Sequence, residues 1–331
     1  MMRDKNMKKL IRAGFCLVLL LIVLLVLVAL QHVLEKKQPD KKDSTETVAE
    51  SMDGRADDAT EAVLETETET ETETETETEV AQSGVVTLHN AMIENVEGLD
   101  NTSQGWGMGP TRDEFNRPVD ALNYEEKFAP YSVDFIKNTE EKVVYLTFDE
   151  GYEYGMTPQI LDTLKEKNAK AVFFVTKPYA EADPDLVQRM IDEGHIVGNH
   201  TVHHPSAGMP SLSIADQTAE IMETDAYIKE NFGYSMYLFR YPTGQFSEQS
   251  LAVVNNCNYR SVFWSFAYKD WDVNNQPDET ESLNLLMEKL HPGAIYLLHA
   301  ESQTNADILG SFIDQVRAQG YEIGVYSDTL Q

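Results

Sequence analysis

VVYLTFDEGYEYG, residues 143–155, is the stretch on which the reading of the fold turns. Its first half, from Val143 to Phe148, is an almost continuous apolar run, as expected of a strand covered on both faces. The run stops at two adjacent carboxylates, Asp149 and Glu150, and then turns at Gly151. Outward from it, similar short runs recur at residues 171–176, 196–199, 236–241, 261–265, 294–299 and 322–326. Amphipathic stretches at 157–167, 180–193, 213–231, 247–256, 279–290 and 303–319 separate them. Ser213 with Asp216 three residues on, Ser247 before Glu248, and Pro184 in a first turn are helix-start signals. Repeated strand–helix units of this kind predict a parallel sheet covered by helices. Seven strands with six intervening helices predict one α/β domain, a distorted (β/α) barrel over residues 141–331, with its active site at the C-terminal strand ends.

Before that domain the chain changes character. Residues 13–30 carry no charge and are almost wholly apolar, long enough to cross a bilayer as a helix. Arg3, Lys5, Lys8, Lys9 and Arg12 precede them in a basic tail, residues 1–12, which the positive-inside bias keeps cytoplasmic. The expectation is a single-pass signal anchor in the cell membrane with the catalytic domain extracellular. A cleaved signal peptide is the rival, and it lacks a convincing small-residue cleavage site. Residues 31–88 read as a disordered acidic linker, in which Thr and Glu alternate without a break from Glu65 to Glu79. Between Glu46 and Asp100 the only Lys or Arg is Arg55, so much of the formal charge of −30 belongs to this segment. Such a balance excludes nucleic acid as the expected partner. Residues 89–140 mix glycine, proline and aromatics, and read as an irregular arm packed on the domain through Trp106, Phe115 and Phe128. Of two cysteines, one lies in the apolar span and the other is Cys257, so no disulfide is expected in the outer domain.

The polar residues that end the apolar runs are the candidates for chemistry. Asp149 and Glu150 repel each other unless a cation or a proton intervenes; a turn or helix cap is the plainer alternative. His200 and His204, in HTVHH, stand four apart and can meet one ion if the segment makes a helical turn, with His203 pointing elsewhere. Arg240, in FRYPTG, follows apolar neighbours and needs an anionic partner, for which Asp149 is the obvious choice. Asp270, in KDW, can orient a histidine, and His299, closing AIYLLH, faces the same rim. Trp271 packs either on a sugar ring or on the core, and the core is the commoner fate. Together these groups suggest metal-assisted hydrolysis.

In order, TFDEG, HTVHH, RYPTG, KDW and LLH resemble the five motifs of the polysaccharide deacetylase family, the NodB homology group of carbohydrate esterases. TFDEGYEYG, DEGHIVGNH, FWSFAYKDW and HPGAIYLLHA are most similar to its muramic δ-lactam deacetylase subgroup. The resemblance implies a hydrolase that removes N-acetyl groups from peptidoglycan glycan strands, chiefly from N-acetylmuramic acid. It implies Asp149 as general base, His200 and His204 as ligands of a divalent metal, zinc being expected, and His299 as general acid. Arg240 would hold Asp149, and Asp270 would tune His299. Tyr241, Trp271 and Leu297 would contact substrate. Glu150 stands where most of the family has a ligating Asp, and is expected as a third ligand.

Alternatives within the family are an N-acetylglucosamine or chitooligosaccharide deacetylase, or an inactive glycan-binding homologue. A two-carboxylate glycosidase needs its carboxyl groups about 5 to 9.5 Å apart across a cleft, which adjacent residues on one turn do not provide.

Overall fold

The computed structural model describes residues 88–329, all within one compact unit spanning residues 77–331. The expected anchor, residues 13–30, and the linker up to residue 87 lie outside the described residues. No helix among the described residues is long and apolar enough to cross a membrane.

In chain order the strands are β1 (Gln104–Gly105), β2 (Val133–Asp134), β3 (Val143–Glu150), β4 (Ala171–Val175), β5 (Ile196–Asn199), β6 (Leu238–Phe239), β7 (Gln245–Phe246), β8 (Arg260–Val262), β9 (Phe266–Ala267), β10 (Ala294–His299) and β11 (Glu322–Ile323). The helices are α1 (Val119–Phe128), α2 (Thr157–Glu166), α3 (Lys177–Ala182), α4 (Pro184–Asp192), α5 (Ile214–Phe232), α6 (Glu248–Asn256), α7 (Glu279–Glu288) and α8 (Gln303–Ala318). Nine strands form one sheet in the order β2-β8-β6-β5-β4-β3-β10-β9, with β11 also on β3, and every pairing in it is parallel. The result is a parallel-strand half-barrel of β/α units.

Two of these strands are additional to the seven read from the sequence. The expected strand at 261–265 stops at Val262: β8 pairs with β6 and β2, whereas β9, which begins just past it at Phe266, pairs with β10 at the other end of the sheet. The segment between them bends, and the Ser265 N–H donates to the Ile295 carbonyl at 3.0 Å. One short segment thus joins both ends of the sheet and draws the half-barrel around. The other addition, β2, comes from the residues preceding the regular β/α pattern.

Strand alternation sorts the side chains into two layers. Tyr145, Val172, Phe174, Ile196, Leu238, Val262 and Ile295 pack together on the concave side. Val144, Leu146, Phe148, Phe173, Val175, Val197 and Phe239 face the other way, into a larger core shared with the helices. Trp106 and Phe128 join that core, but Phe115 is left exposed, with Arg117 over its ring at 5.0 Å.

Helix boundaries follow local chemistry. The Ser213 side chain accepts from the Asp216 N–H at the start of α5, which ends on Gly233 at φ 64°. At α6 Ser247 forms a capping box with Ser250 rather than with its neighbour Glu248. The expected helix 180–193 is two helices, because Pro184 has no N–H to continue one and instead opens α4.

Candidate active site

Asp149 is the last residue but one of β3 and His299 ends β10, and the two are register partners on adjacent parallel strands. Thr147 and Leu297 are partners two residues below, on the same face. This register places a carboxylate and an imidazole side by side at the mouth of a cleft of about 1000 Å³. Asp149, His200, His204, Trp271, Leu297 and His299 all line it.

Arg240 lies fully buried beneath that floor. Its Nη1 donates to Asp149 Oδ1 at 3.0 Å, its Nη2 to Thr147 Oγ1 at 2.9 Å, and its Nε to the Val262 carbonyl at 2.6 Å. The guanidinium also sits over the Phe174 ring at 4.4 Å. Thr147 passes the chain on by donating to the Tyr296 carbonyl at 2.7 Å. Burial pulls the Arg240 pKa down, and the Asp149 charge opposes this. A buried cation of this kind is tolerated only because its donors are satisfied and its charge is paired.

The HTVHH segment does not form the helical turn expected of it. Thr201 and His204 adopt left-handed conformations, φ 75° and 45°, and the segment is an irregular loop. Asn199 Oδ1 accepts from the Thr201 N–H at 2.9 Å, and Thr201 Oγ1 accepts from the His204 N–H at 3.0 Å. Glu220, on α5, accepts from the N–H groups of Val202 and His203 at 2.9 and 2.8 Å. It also meets His203 Nδ1 at 2.7 Å, which holds that ring apart from the other two. So shaped, the loop brings the His200 and His204 rings to 4.9 Å between centroids, edge to face.

His200 Nδ1 lies 2.9 Å from the Arg240 carbonyl, which can only accept, so Nδ1 carries the proton. The bare Nε2 then faces Asp149 Oδ2 at 3.6 Å. Burial lowers the pKa of both rings, that of His200 to about 4, so both are neutral at physiological pH. Two neutral imidazoles, one already oriented through its other nitrogen, beside a carboxylate at an open cleft, have the donor chemistry of an open divalent-cation site. Among the described residues no three His, Cys, Asp or Glu side chains are gathered into a metal-holding cluster.

Glu150, expected as the third ligand, does not line the cleft. Alternation explains this, since consecutive strand residues point to opposite faces and Glu150 follows Phe148 into the outer layer. It is fully buried, with no hydrogen-bond partner for either carboxylate oxygen. Burial, then the charges of Glu153, Glu301 and Asp149, raise its pKa well above the usual range.

At the other side of the cleft His299 is clamped by Asp270. Nδ1 meets Asp270 Oδ1 at 2.7 Å, and the His299 backbone N–H donates to Oδ2 at 3.0 Å. Asn305 Nδ2 donates to the same Oδ2 at 2.6 Å, so the fully buried Asp270 is saturated. Burial alone pushes His299 down, but Asp270 outweighs it and raises the pKa to about 9. The site therefore contains imidazoles of both kinds, two held neutral and one held protonated.

Of the residues expected to meet substrate, Leu297 and Trp271 line the cleft, Trp271 half-exposed and edge-on to His299 at 5.5 Å. Tyr241 does so differently from the expectation. Its ring is buried against Phe263, stacked at 5.3 Å, and against Phe239, because it follows Phe239 onto the outer face. That leaves its main chain as the part at the cleft. Just beyond, Thr243 and Gly244 have φ of 58° and 66°, and a Cβ on Gly244 would come within 2.7 Å of Trp264. Met108, Tyr152, Lys269 and Glu301 are among the lining residues that the sequence reading did not offer for the site. Glu301, two residues past His299, has its pKa raised to about 6, chiefly by burial. The polarity of the turn after Asp149 was the only signal for Tyr152.

Comparison with known proteins gives the arrangement its relatives. Residues 136–262 match the family model described as polysaccharide deacetylase. The peptidoglycan-N-acetylmuramic acid deacetylase PdaA of Bacillus subtilis is 37% identical over 235 residues, 71% of this chain and 88% of the relative. A peptidoglycan-N-acetylglucosamine deacetylase of Bacillus cereus is 33% identical over 203 residues, 60% of this chain and 71% of the relative. The solved structure of Bacillus subtilis PdaA, a family 4 carbohydrate esterase, superposes with a TM-score of 0.66 at 35% identity, covering 70% of this chain and 98% of that one. With its β/α half-barrel and the motif residues at the strand ends, the chain belongs to the polysaccharide deacetylase family.

Proposed function

We propose that this protein is a metal-dependent hydrolase that removes N-acetyl groups from peptidoglycan amino sugars, with N-acetylmuramic acid units as the substrate. The observation that carries the chemistry is the opposition, in one cleft, of Asp149 beside two neutral imidazoles to a cationic His299. The similarity to PdaA over 88% of that protein's length supports the choice of sugar.

His200 and His204 would hold the cation, zinc being the expected ion. When bound, it supplies Lewis acidity that lowers the pKa of water from ~15.7 towards ~7. Asp149, fixed by Arg240 through Oδ1, accepts the proton of the attacking water through Oδ2. The acetamide carbonyl becomes tetrahedral, and the main-chain N–H of Tyr241 would donate to its oxygen. His299 gives its Nε2 proton to the departing amine, while Asp270 balances the charge on the ring. Acetate and a free amino sugar are the products. Residues 13–30 are proposed to anchor the chain in the cell membrane with this domain outside, on the evidence of apolar length and flanking charge alone.

The test is to incubate purified full-length protein with peptidoglycan glycan strands and measure acetate, new reducing ends and fragment masses. The expected result is acetate release with loss of acetyl mass from muramic residues and no new reducing ends, abolished by chelation and restored by zinc. Reducing ends without acetate would establish a glycosidase. Mass loss confined to glucosamine residues would reassign the substrate, and binding without any product would mark an inactive homologue.

A further inference from the structure

Lys269 is, among the described residues, the one lysine or arginine lining the cleft. Arg240 lies below the floor with its donors engaged by Asp149, Thr147 and two carbonyls. His299 is committed to Asp270, and His203 to Glu220. Lys269 is different. Its side chain is 61% exposed, and the contact it makes is with Asp272 Oδ2 at 3.4 Å, itself at the surface. An exposed pair of this kind holds its partners weakly.

The ammonium is free to move, but the backbone carrying it is not. Lys269 immediately precedes Asp270, which is locked onto His299. Gln276 then ties the loop together, donating to the carbonyls of Asp270 and Asp272 at 3.0 Å each. Its Oε1 accepts from Ser302 Oγ at 2.7 Å and the Thr304 N–H at 3.1 Å, just past the end of β10. The loop is thus fixed to the strand end that bears the proton donor. Asp270 points inward to His299, and Lys269, its neighbour, projects along the cleft wall.

We infer that Lys269 is a specificity-determining residue that binds the carboxylate carried on the substituent next to the reacting acetamido group. This rests on the function proposed above. In N-acetylmuramic acid the acetamide at C2 has as its neighbour, on O3, a lactyl ether ending in a carboxyl group; N-acetylglucosamine has a hydroxyl there. With the acetamide nitrogen presented to His299, the vicinal substituent would lie within the same cleft that Lys269 lines. The formal charge of the chain, −30, disfavours an anionic ligand at long range, so a local cation is what admits one. The carboxylate has two sources, the lactyl group itself or a peptide attached to it.

The experiment uses purified full-length chain with zinc and three soluble glycan oligomers: muramic units with free lactyl groups, the same units with lactyl groups converted to the neutral amide, and units bearing a peptide. A fourth oligomer contains N-acetylglucosamine only. Lys269→Met should raise KM about fivefold on whichever acidic oligomer the wild type prefers, as an exposed ion pair can supply. Its kcat, and all its parameters on the neutral oligomers, should stay within twofold of wild type. Lys269→Arg should keep the wild-type KM, and Asp272→Asn should lower it by releasing the ammonium. Added salt should shrink the difference in KM between the wild type and Lys269→Met on the acidic oligomer, since it screens the local ion pair in one protein only. Preference for the free lactyl or the peptide-bearing oligomer identifies the source of the carboxylate. Equal KM for wild type and Lys269→Met on every acidic oligomer would overturn the assignment while leaving the deacetylase reading intact. No acetate from any oligomer with the wild type would overturn both.

Discussion

At the residue scale the site depends on what alternation does to neighbours. Asp149 and Glu150 are identical in charge and adjacent in sequence, yet one faces the cleft and the other the outer core. Tyr241 is turned away from the cleft by the same rule. A shift of one residue in a strand changes every facing side chain, so type alone does not decide a role. Electrostatic roles are decided equally locally. His200 and His299 both stand at strand ends, but burial lowers one to about 4 against the opposing pull of Asp149 and its carbonyl partner, and a saturated carboxylate lifts the other to about 9. The alkaline limb of kcat/KM should therefore fall near pH 9, where His299 loses its proton. The same raised pKa stabilises the fold fully below the ordinary 6.5, and that contribution is lost as pH rises through about 9. Asp270→Asn removes the largest charge that opposes burial, with Asp149 and Glu301 remaining, so the limb should move to lower pH and activity at pH 8 should drop about tenfold or more. A pH–rate profile checks this; an unmoved limb would mean that His299 is not the titrating acid.

At the scale of elements, strands and helices were legible in the sequence because their signals are local. A continuous apolar run, a Ser at an N-cap and a proline in a first turn each act within a few residues. Long-range closure was less legible. Nothing in residues 260–267 announces that the segment will serve two ends of the sheet, since that is settled by which strands are already in place. The HTVHH loop shows the same limit. Its histidines were readable, but its shape is set by Glu220, a helix residue that has no sequence signal beyond lying in an amphipathic stretch. That carboxylate accepts two backbone N–H groups and one ring. Glu220→Ala should leave the N–H groups of Val202 and His203 unsatisfied, at a cost of about 1–3 kcal/mol each. With the loop loosened, zinc affinity should fall about 10–100-fold, as when an outer partner of a ligand is lost. Zinc titration followed by calorimetry measures the effect, and unchanged affinity would show that the loop holds its shape without α5.

For the whole molecule, the question is how ion binding at one rim couples to the stability of the described domain. Cys257 is unpaired, so no disulfide within the described residues contributes, and packing of the two apolar layers must supply cohesion. A ligand that binds only the folded state adds stability by mass action, about 2.7 kcal/mol at a hundred times Kd. For a domain of this size that is a rise in Tm of about 5–10 °C. The rise should be seen when zinc is added to metal-free protein, and it should vanish in the double variant His200→Ala, His204→Ala. Glu150 separates the two pictures of the site. If family position decided the ligands, Glu150→Gln would reduce the rise as the histidine variant does. Because Glu150 faces the outer layer, Glu150→Gln is expected to keep the full zinc-dependent rise, whatever it does to the Tm of the metal-free protein. Differential scanning calorimetry with and without zinc distinguishes the cases without reference to activity. Loss of the rise in Glu150→Gln would make Glu150 a ligand after all, and a rise persisting in the double histidine variant would put the ion elsewhere.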